Sequence, residues 1–317
     1  MKKTLIAAAV ITTLGATSAQ AATIAETDST KVDMYGRINL MLQSDDGTNG
    51  IEDNGSRIGF KASDQISEDL EAFARAEFRF NGDERQRPSK GNDVFDDLRN
   101  TYAGFEGSFG KVTVGNFDSI YYQATSSVLD VMENAGYRAF NSGSTNARGD
   151  TLAFETADLG GMQFGLSAKH APETATADEA WGLQAYGQFS AGENLSLALA
   201  FDQNIEELDG GADSDPIIGA QATYSMDALT ASALVESSGD YLHLGASAAY
   251  GYGMGDIYGL VSMVDDSNES GMDLALGANY KFSSSLRTYA EFAMGNDKEA
   301  MSLGDKSITT VGLRYDW

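Results

Sequence analysis

Apolar and polar residues alternate with a period of two along most of this chain, the signature of strands with one apolar and one polar face. At the end of the chain Thr309, Val311, Leu313, Tyr315 and Trp317 share one face, with Thr310, Gly312, Arg314 and Asp316 on the other. Near the start Met34, Ile38, Leu40 and Leu42 oppose Asp33, Tyr35, Arg37 and Asn39. Between 70 and 80, Leu70, Ala72, Ala74, Ala76, Phe78 and Phe80 oppose Glu71, Phe73, Arg75, Glu77 and Arg79. Runs of about ten such positions cross a bilayer when tilted.

Sixteen segments carry the pattern: 32–43, 55–63, 68–81, 98–107, 110–118, 149–157, 161–170, 180–190, 194–202, 216–226, 228–237, 241–251, 254–264, 271–282, 285–294 and 307–317. Two packed soluble sheets would share this period. The polar faces, rich in Gly, Ser, Asn and paired charges, favour a barrel lined by water. Connections alternate in length: short turns such as Ser67-Glu68-Asp69 and Ala191-Gly192-Glu193-Asn194, then long loops at 44–54, 81–97, 171–179, 203–215, 265–270 and 295–306. An even strand count with unequal rims predicts an all-β transmembrane antiparallel β-barrel. No apolar run is long enough for a membrane helix, and closed barrels are the other structure that satisfies the backbone in lipid.

The longest connection, Ser119 to Arg148, lacks alternation, and a loop of that length inside a compact fold calls for a function. Val128–Asn134 reads as a short helical turn, placing Asp130 and Glu133 on one side. Folded into the barrel, these acids would focus cations. Tyr121, Tyr122, Tyr137 and Phe140 would either stack sugar rings or pack the loop against the wall.

Composition changes this picture in two ways. The chain of 317 residues carries 47 acids against 21 Lys and Arg, a net charge of -26, which disfavours a nucleic-acid partner. Acids concentrate in the long loops, among them Asp45, Asp46, Glu52 and Asp53, then Glu206, Glu207, Asp209, Asp213 and Asp215, then Asp265, Asp266 and Glu269. Loose Ca²⁺ or Mg²⁺ contacts are conceivable there, although no calcium-loop motif occurs and no resident cofactor is expected. With no cysteine there is no disulfide or thiolate metal site. Residues 1–21 read as a secretory signal: Lys2 and Lys3, an apolar core Leu5–Leu14, and Ala19-Gln20-Ala21 as a cleavage site. Residues 22–317 then form one exported barrel. His170 and His243 show no metal-ligand spacing, and no phosphate-binding motif or positioned triad suggests an enzyme.

Ordered segments along the whole mature chain resemble one family. Lys31-Val32-Asp33-Met34-Tyr35-Gly36-Arg37 and Ser56-Arg57-Ile58-Gly59-Phe60-Lys61 resemble its first strands. Asn100-Thr101-Tyr102-Ala103-Gly104-Phe105 followed by Gly107–Gly115 resembles the hairpin before its constriction loop, and Val311–Trp317 its terminal strand. The family is the sixteen-stranded trimeric general porins of Gram-negative outer membranes. The resemblance implies a homotrimer in outer-membrane lipid and lipopolysaccharide, passively passing small hydrophilic solutes and cations. It also implies an inward-folded third external loop presenting Asp130 and Glu133 opposite a basic wall. Arg37 and Arg57 match wall positions, and Arg75 joins them on the polar face of its strand. Tyr315 and Trp317 belong to the signal read by barrel-assembly machinery. Two departures occur, Asn116 and Glu155, where relatives often carry arginine, and both predict a cation preference. The alternatives are a sugar- or solute-selective porin and, from another class, an exported soluble β-sandwich acting as a binding or adhesin module.

Overall fold

The computed structural model describes residues 21–45, 48–82, 97–136, 139–140, 149–173, 179–204, 215–265, 267, 269–296 and 306–317. In chain order the strands are β1 Ala22–Glu26, β2 Thr30–Asp45, β3 Thr48–Asp53, β4 Arg57–Ser67, β5 Leu70–Arg79, β6 Asp97–Gly107 and β7 Gly110–Asn116. Helix α1 Ile120–Ala124 and a 3-10 turn Ser126–Leu129 follow. Then come β8 Asp150–Thr156, β9 Met162–Ala171, β10 Ala180–Ala191, β11 Leu195–Asp202, β12 Ile217–Met226 and β13 Leu229–Ser238. The last strands are β14 Tyr241–Gly251, β15 Asp256–Asp265, β16 Ser270–Lys281, β17 Leu286–Gly295 and β18 Ser307–Asp316.

Each strand from β4 to β18 pairs antiparallel with the next. β18 then returns to β2, from Ile308 opposite Asp45 to Asp316 opposite Arg37, and the ring closes. β3 and β4 both pair with β2, one along its second half and one along its first, so they are two halves of a single stave. The break falls at Gly55, whose φ of +75° suits a residue without a side chain. The barrel therefore has sixteen staves, as the alternation predicts. Closure leaves no open edge in the wall, which lipid requires and a sandwich would not provide.

Two details differ from the sequence reading. The expected loop 44–54 is largely a hairpin, because Leu42 faces Ile51 across β2 and β3 and both turn their apolar side chains outward. The short β1 was not anticipated. It pairs with Lys31–Met34 of β2, beyond the point where β18 ends, so both ends of the barrel domain lie along one stave. Trp317 and Gly36 exchange two backbone hydrogen bonds of 2.9 and 3.1 Å at that point. The secretory signal expected at 1–21 lies, apart from Ala21, outside the described residues.

Alternation sorts the side chains. In β16, Met272, Leu274, Leu276, Ala278 and Tyr280 are exposed, while Gly271, Asp273, Ala275, Gly277 and Asn279 are buried. The exposed apolar face is the exterior, and the buried polar face looks into the barrel. Near the short-turn rim Tyr250, Tyr252, Tyr280, Phe282 and Tyr315 point outward, as in the interfacial aromatic girdles of membrane barrels. No helix among the described residues is long and apolar enough to cross a membrane.

Candidate functional site in the barrel interior

The described residues of the segment after β7 lie against the inner wall and divide the interior into a side that they cover and a side that they leave bare. Ser119 starts α1 by accepting a hydrogen bond from the Tyr122 backbone N–H, and the Thr125 hydroxyl donates back to the Tyr121 carbonyl at 2.7 Å. The helix packs on β9, β10 and β11, and the 3-10 turn on β12, β13 and β14. Met132 then joins a cluster with Ala249, Tyr258, Leu260, Ala275 and Ala293 from β14 to β17. Two glycines permit this approach: a methyl group on Gly219 would overlap the Tyr121 hydroxyl, and one on Gly245 would overlap Leu129.

Wall carboxylates grip the loop. Glu236 of β13 is fully buried and accepts from the Tyr121 hydroxyl at 2.9 Å, the Ser126 hydroxyl at 2.8 Å and the Phe140 backbone N–H at 3.2 Å. His243 Nδ1 lies 2.8 Å from its remaining side. Glu291 of β17 accepts from the backbone N–H groups of Glu133 and Asn134 at 2.7 and 3.0 Å and from the Tyr258 hydroxyl at 2.8 Å. Buried carboxylates with their lone pairs filled in this way hold a backbone firmly, because losing either partner strands buried polar groups.

The bare side, from the first half of β2 to β6, carries a basic cluster built around one acid. Glu77 is buried, with Arg75 Nη2 at 2.7 Å, Arg99 Nη1 at 2.9 Å and Arg57 Nη1 at 3.5 Å. The Tyr35 hydroxyl donates to Glu77 at 2.9 Å, and Arg75 lies over the Tyr35 ring, 5.1 Å from its centre. Arg37 pairs with Asp316 at 3.0 Å. Arg79 faces Arg57 across β4 and β5. The predicted wall arginines Arg37, Arg57 and Arg75 are thus together, and Arg79, Arg99 and Glu77 complete their group. Glu77 and Arg79 share the inward parity of Arg75, a signal present in the alternation.

The predicted loop acids part company. Val128–Asn134 does not form a helical turn; helical structure lies earlier, at Ile120–Leu129, where Ser119 supplies the cap. Asp130 is exposed and accepts a hydrogen bond of 2.5 Å from the Tyr122 hydroxyl. Burial and that carboxylate push the Tyr122 phenol up from its ordinary value. Glu133 instead meets Arg287 and, at 3.1 Å, Arg314, with 15% of its side chain exposed. It anchors the loop rather than standing across from Arg37, Arg57 and Arg75. Sequence spacing gave no access to this, because Arg287 and Arg314 are some 150 or more positions away.

The other predicted residues resolve individually. Glu155 faces inward as expected, but it accepts from the Tyr186 hydroxyl at 2.8 Å and sits 3.9 Å from Lys111. Asn116 is a correction: β7 alternation sets it with Val112 and Val114, away from the inward Lys111 and Thr113, and its amide donates to the Leu98 carbonyl at 3.0 Å. It does not line the pore. Tyr121 is fully buried, and Phe140 packs edge-on to His243 with ring centres 5.8 Å apart, so these aromatics pack the loop rather than pave a path. Tyr137 lies outside the described residues. Tyr315 points outward and stacks with Trp317 at 6.4 Å. Among the described residues no three His, Asp or Glu side chains gather as metal ligands.

A closed sixteen-stave barrel with an apolar exterior, a polar interior and a loop on its inner wall is a transmembrane channel. The chain belongs to the Gram-negative porin family, whose profile matches residues 6–300. A monosaccharide porin of a Halomonas species is 29% identical over 84% of this chain and 80% of its own length. A major outer membrane protein of Pasteurella multocida is 29% identical over 99% of both chains. Among solved structures, Salmonella typhi OmpF in complex with daunomycin superposes with a TM-score of 0.76 at 18% identity, over 92% of this chain and 99% of that one. The trimer form of Vibrio cholerae OmpT gives 0.71 at 16%, over 92% and 100%. The protein is a passive channel of the Gram-negative outer membrane. Family and fold are those of channels, not enzymes.

Proposed function

We propose that this porin is a general diffusion channel for ions and small hydrophilic solutes with a cation preference, working as a homotrimer. The observation that carries the reading is the asymmetry of the passage. The basic wall is partly neutralised by Glu77 and Asp316, while Asp130 on the loop is the acid left exposed to water. Exposed acids at the long-loop rim, including Asp215 and Asp240, add a negative field at the mouth. Solutes cross a transverse field between arginines and Asp130, which orients polar molecules without selecting one ion. The trimeric form of the OmpT neighbour supports the assembly. The apolar exterior suits lipid and lipopolysaccharide, and the terminal strand with Tyr315 and Trp317 suits the barrel-assembly machinery.

A reversal potential in a KCl gradient tests the preference. The field of exposed acids acts over a Debye length of about 10 Å at 0.1 M and about 3 Å at 1 M salt. Cation preference is therefore expected at low salt and should shrink at high salt. Anion preference at both would overturn the reading. The Halomonas relative's name raises sugars as solutes, but the packed Tyr121 and Phe140 give no dedicated stacking path.

A further inference from the structure

We infer that the loop tip, Glu133 and Asn134, is a staple across the junction between the last and first staves, so that the position of the constriction loop and the closure of the barrel depend on each other. This goes beyond the channel reading and does not rest on its ion preference. From β3 and β4 onward, each stave is covalently continuous with the next through a turn or loop, and β2 with β3 likewise. β18 and β2 are adjacent in space but stand at opposite ends of the domain, so their pairing closes the longest loop in the molecule. Besides its contacts with Glu291 and Arg287 of β17, the loop tip makes its polar side-chain contacts here.

The Asn134 side-chain amide donates to Gln43 Oε1 of β2 at 2.7 Å and to Thr310 Oγ1 of β18 at 2.8 Å. One side chain thus bridges both sides of the junction. Glu133 meets Arg314 of β18 and Arg287 of β17, and Asn39 of β2 approaches its other oxygen at 3.5 Å. The Asn54 amide, from the link between β3 and β4, donates to the Glu133 carbonyl at 2.8 Å. Earlier parts of the loop differ: α1 and the 3-10 turn rest on strands already joined by the chain. The tip can make this set of contacts only after β18 has reached β2, and once made they resist separation of the pair.

Two variants test this in the full-length, outer-membrane-assembled protein. Glu133→Gln with Asn134→Ala removes the staple from the loop side. Gln43→Leu with Thr310→Val removes both acceptors of Asn134 from the wall side while leaving Glu291 its hold on the loop backbone. Each is read by the temperature at which the folded band converts to the unfolded one on a detergent gel, and by open-channel current noise in a bilayer. The inference expects both variants to convert at a temperature lower by roughly 5 °C and to show more noise. Added noise with the conversion temperature unchanged would mean that the tip merely anchors the loop, and the inference fails. Unchanged noise and temperature in both variants would overturn it equally. Asp130→Asn, which touches neither side of the junction, should leave the conversion temperature alone.

Discussion

The covered and bare sides of the barrel interior use the same side chains for opposite purposes. On the covered side, from β9 round to β18, Glu236 and Glu291 hold loop backbone and hydroxyl groups, and Arg287 and Arg314 receive Glu133. On the bare side, Glu77 holds Arg57, Arg75 and Arg99 together while those guanidinium groups keep part of their surface in water. Glu236 and Glu77 are both buried carboxylates with several partners, yet one fixes a loop and the other groups charges. What separates them is whether the loop lies over them. Charge that remains uncovered is therefore the charge expected to act on permeation.

The largest effect should come from breaking the covered side. Glu236→Ala would leave the Tyr121 and Ser126 hydroxyls, the Phe140 N–H and His243 without their shared acceptor, a loss of at least about 3 kcal/mol, because three of these residues are fully buried and each stranded buried group costs about 1–3. The loop should loosen, raising single-channel conductance with little change of ion preference. Conductance equal to wild type in a folded channel would show that Glu236 does not position the loop. Breaking the bare side should give the inverse pattern. Glu77→Gln removes the carboxylate that three arginines share, costing about 3 kcal/mol. It should move the reversal potential toward anions and leave conductance close to wild type. A shift toward cations would contradict the grouping described.

Asp130 sharpens the comparison at smaller scale, as a loop residue that faces water. Asp130→Asn should reduce cation preference in about 0.1 M salt and have no resolvable effect in about 1 M. The bond from Tyr122 should persist into alkaline solution. A phenol whose folded value is raised contributes fully below its unfolded value of about 10, and that contribution is lost only as pH rises through the folded value. The preference should thus be level from neutral pH to about 10. A step well below that would place the Tyr122 hydroxyl elsewhere.

The barrel was legible in the sequence because a period of two is a local property, and the inward or outward side of Asp273 or Leu276 follows from counting. The same count identified Arg75; Glu77 and Arg79 share its parity but were not singled out from the sequence. The loop was not legible in this way. Its helical turn was expected at Val128–Asn134 from residue types, but the Ser119 cap starts it earlier. The separation of Asp130 from Glu133 depends on Arg287 and Arg314, which only ring closure brings near. The flatness of the loop against the wall depends on Gly219 and Gly245, whose meaning appears only when Tyr121 and Leu129 lie on them.

The smallest effect is the sharpest check on the inward count. Asn116 and Glu155 were grouped as missing wall cations, yet they lie on opposite faces of paired strands. Glu155 follows Thr151 and Ala153 on the buried face of β8, and Asn116 follows Val114, which is 55% exposed on the outside of β7. Glu155→Arg should therefore shift the reversal potential toward anions. The shift should be modest, because Lys111 and Tyr186 already share the carboxylate that is removed. Asn116→Arg adds one positive charge, half the change made by Glu155→Arg, only one strand away but directs it outward, so the reversal potential should not move. A shift toward anions in Asn116→Arg of about half that in Glu155→Arg would mean that β7 turns over before Asn116. The bare side would then extend one strand further round the barrel than Glu77 and Arg99 define.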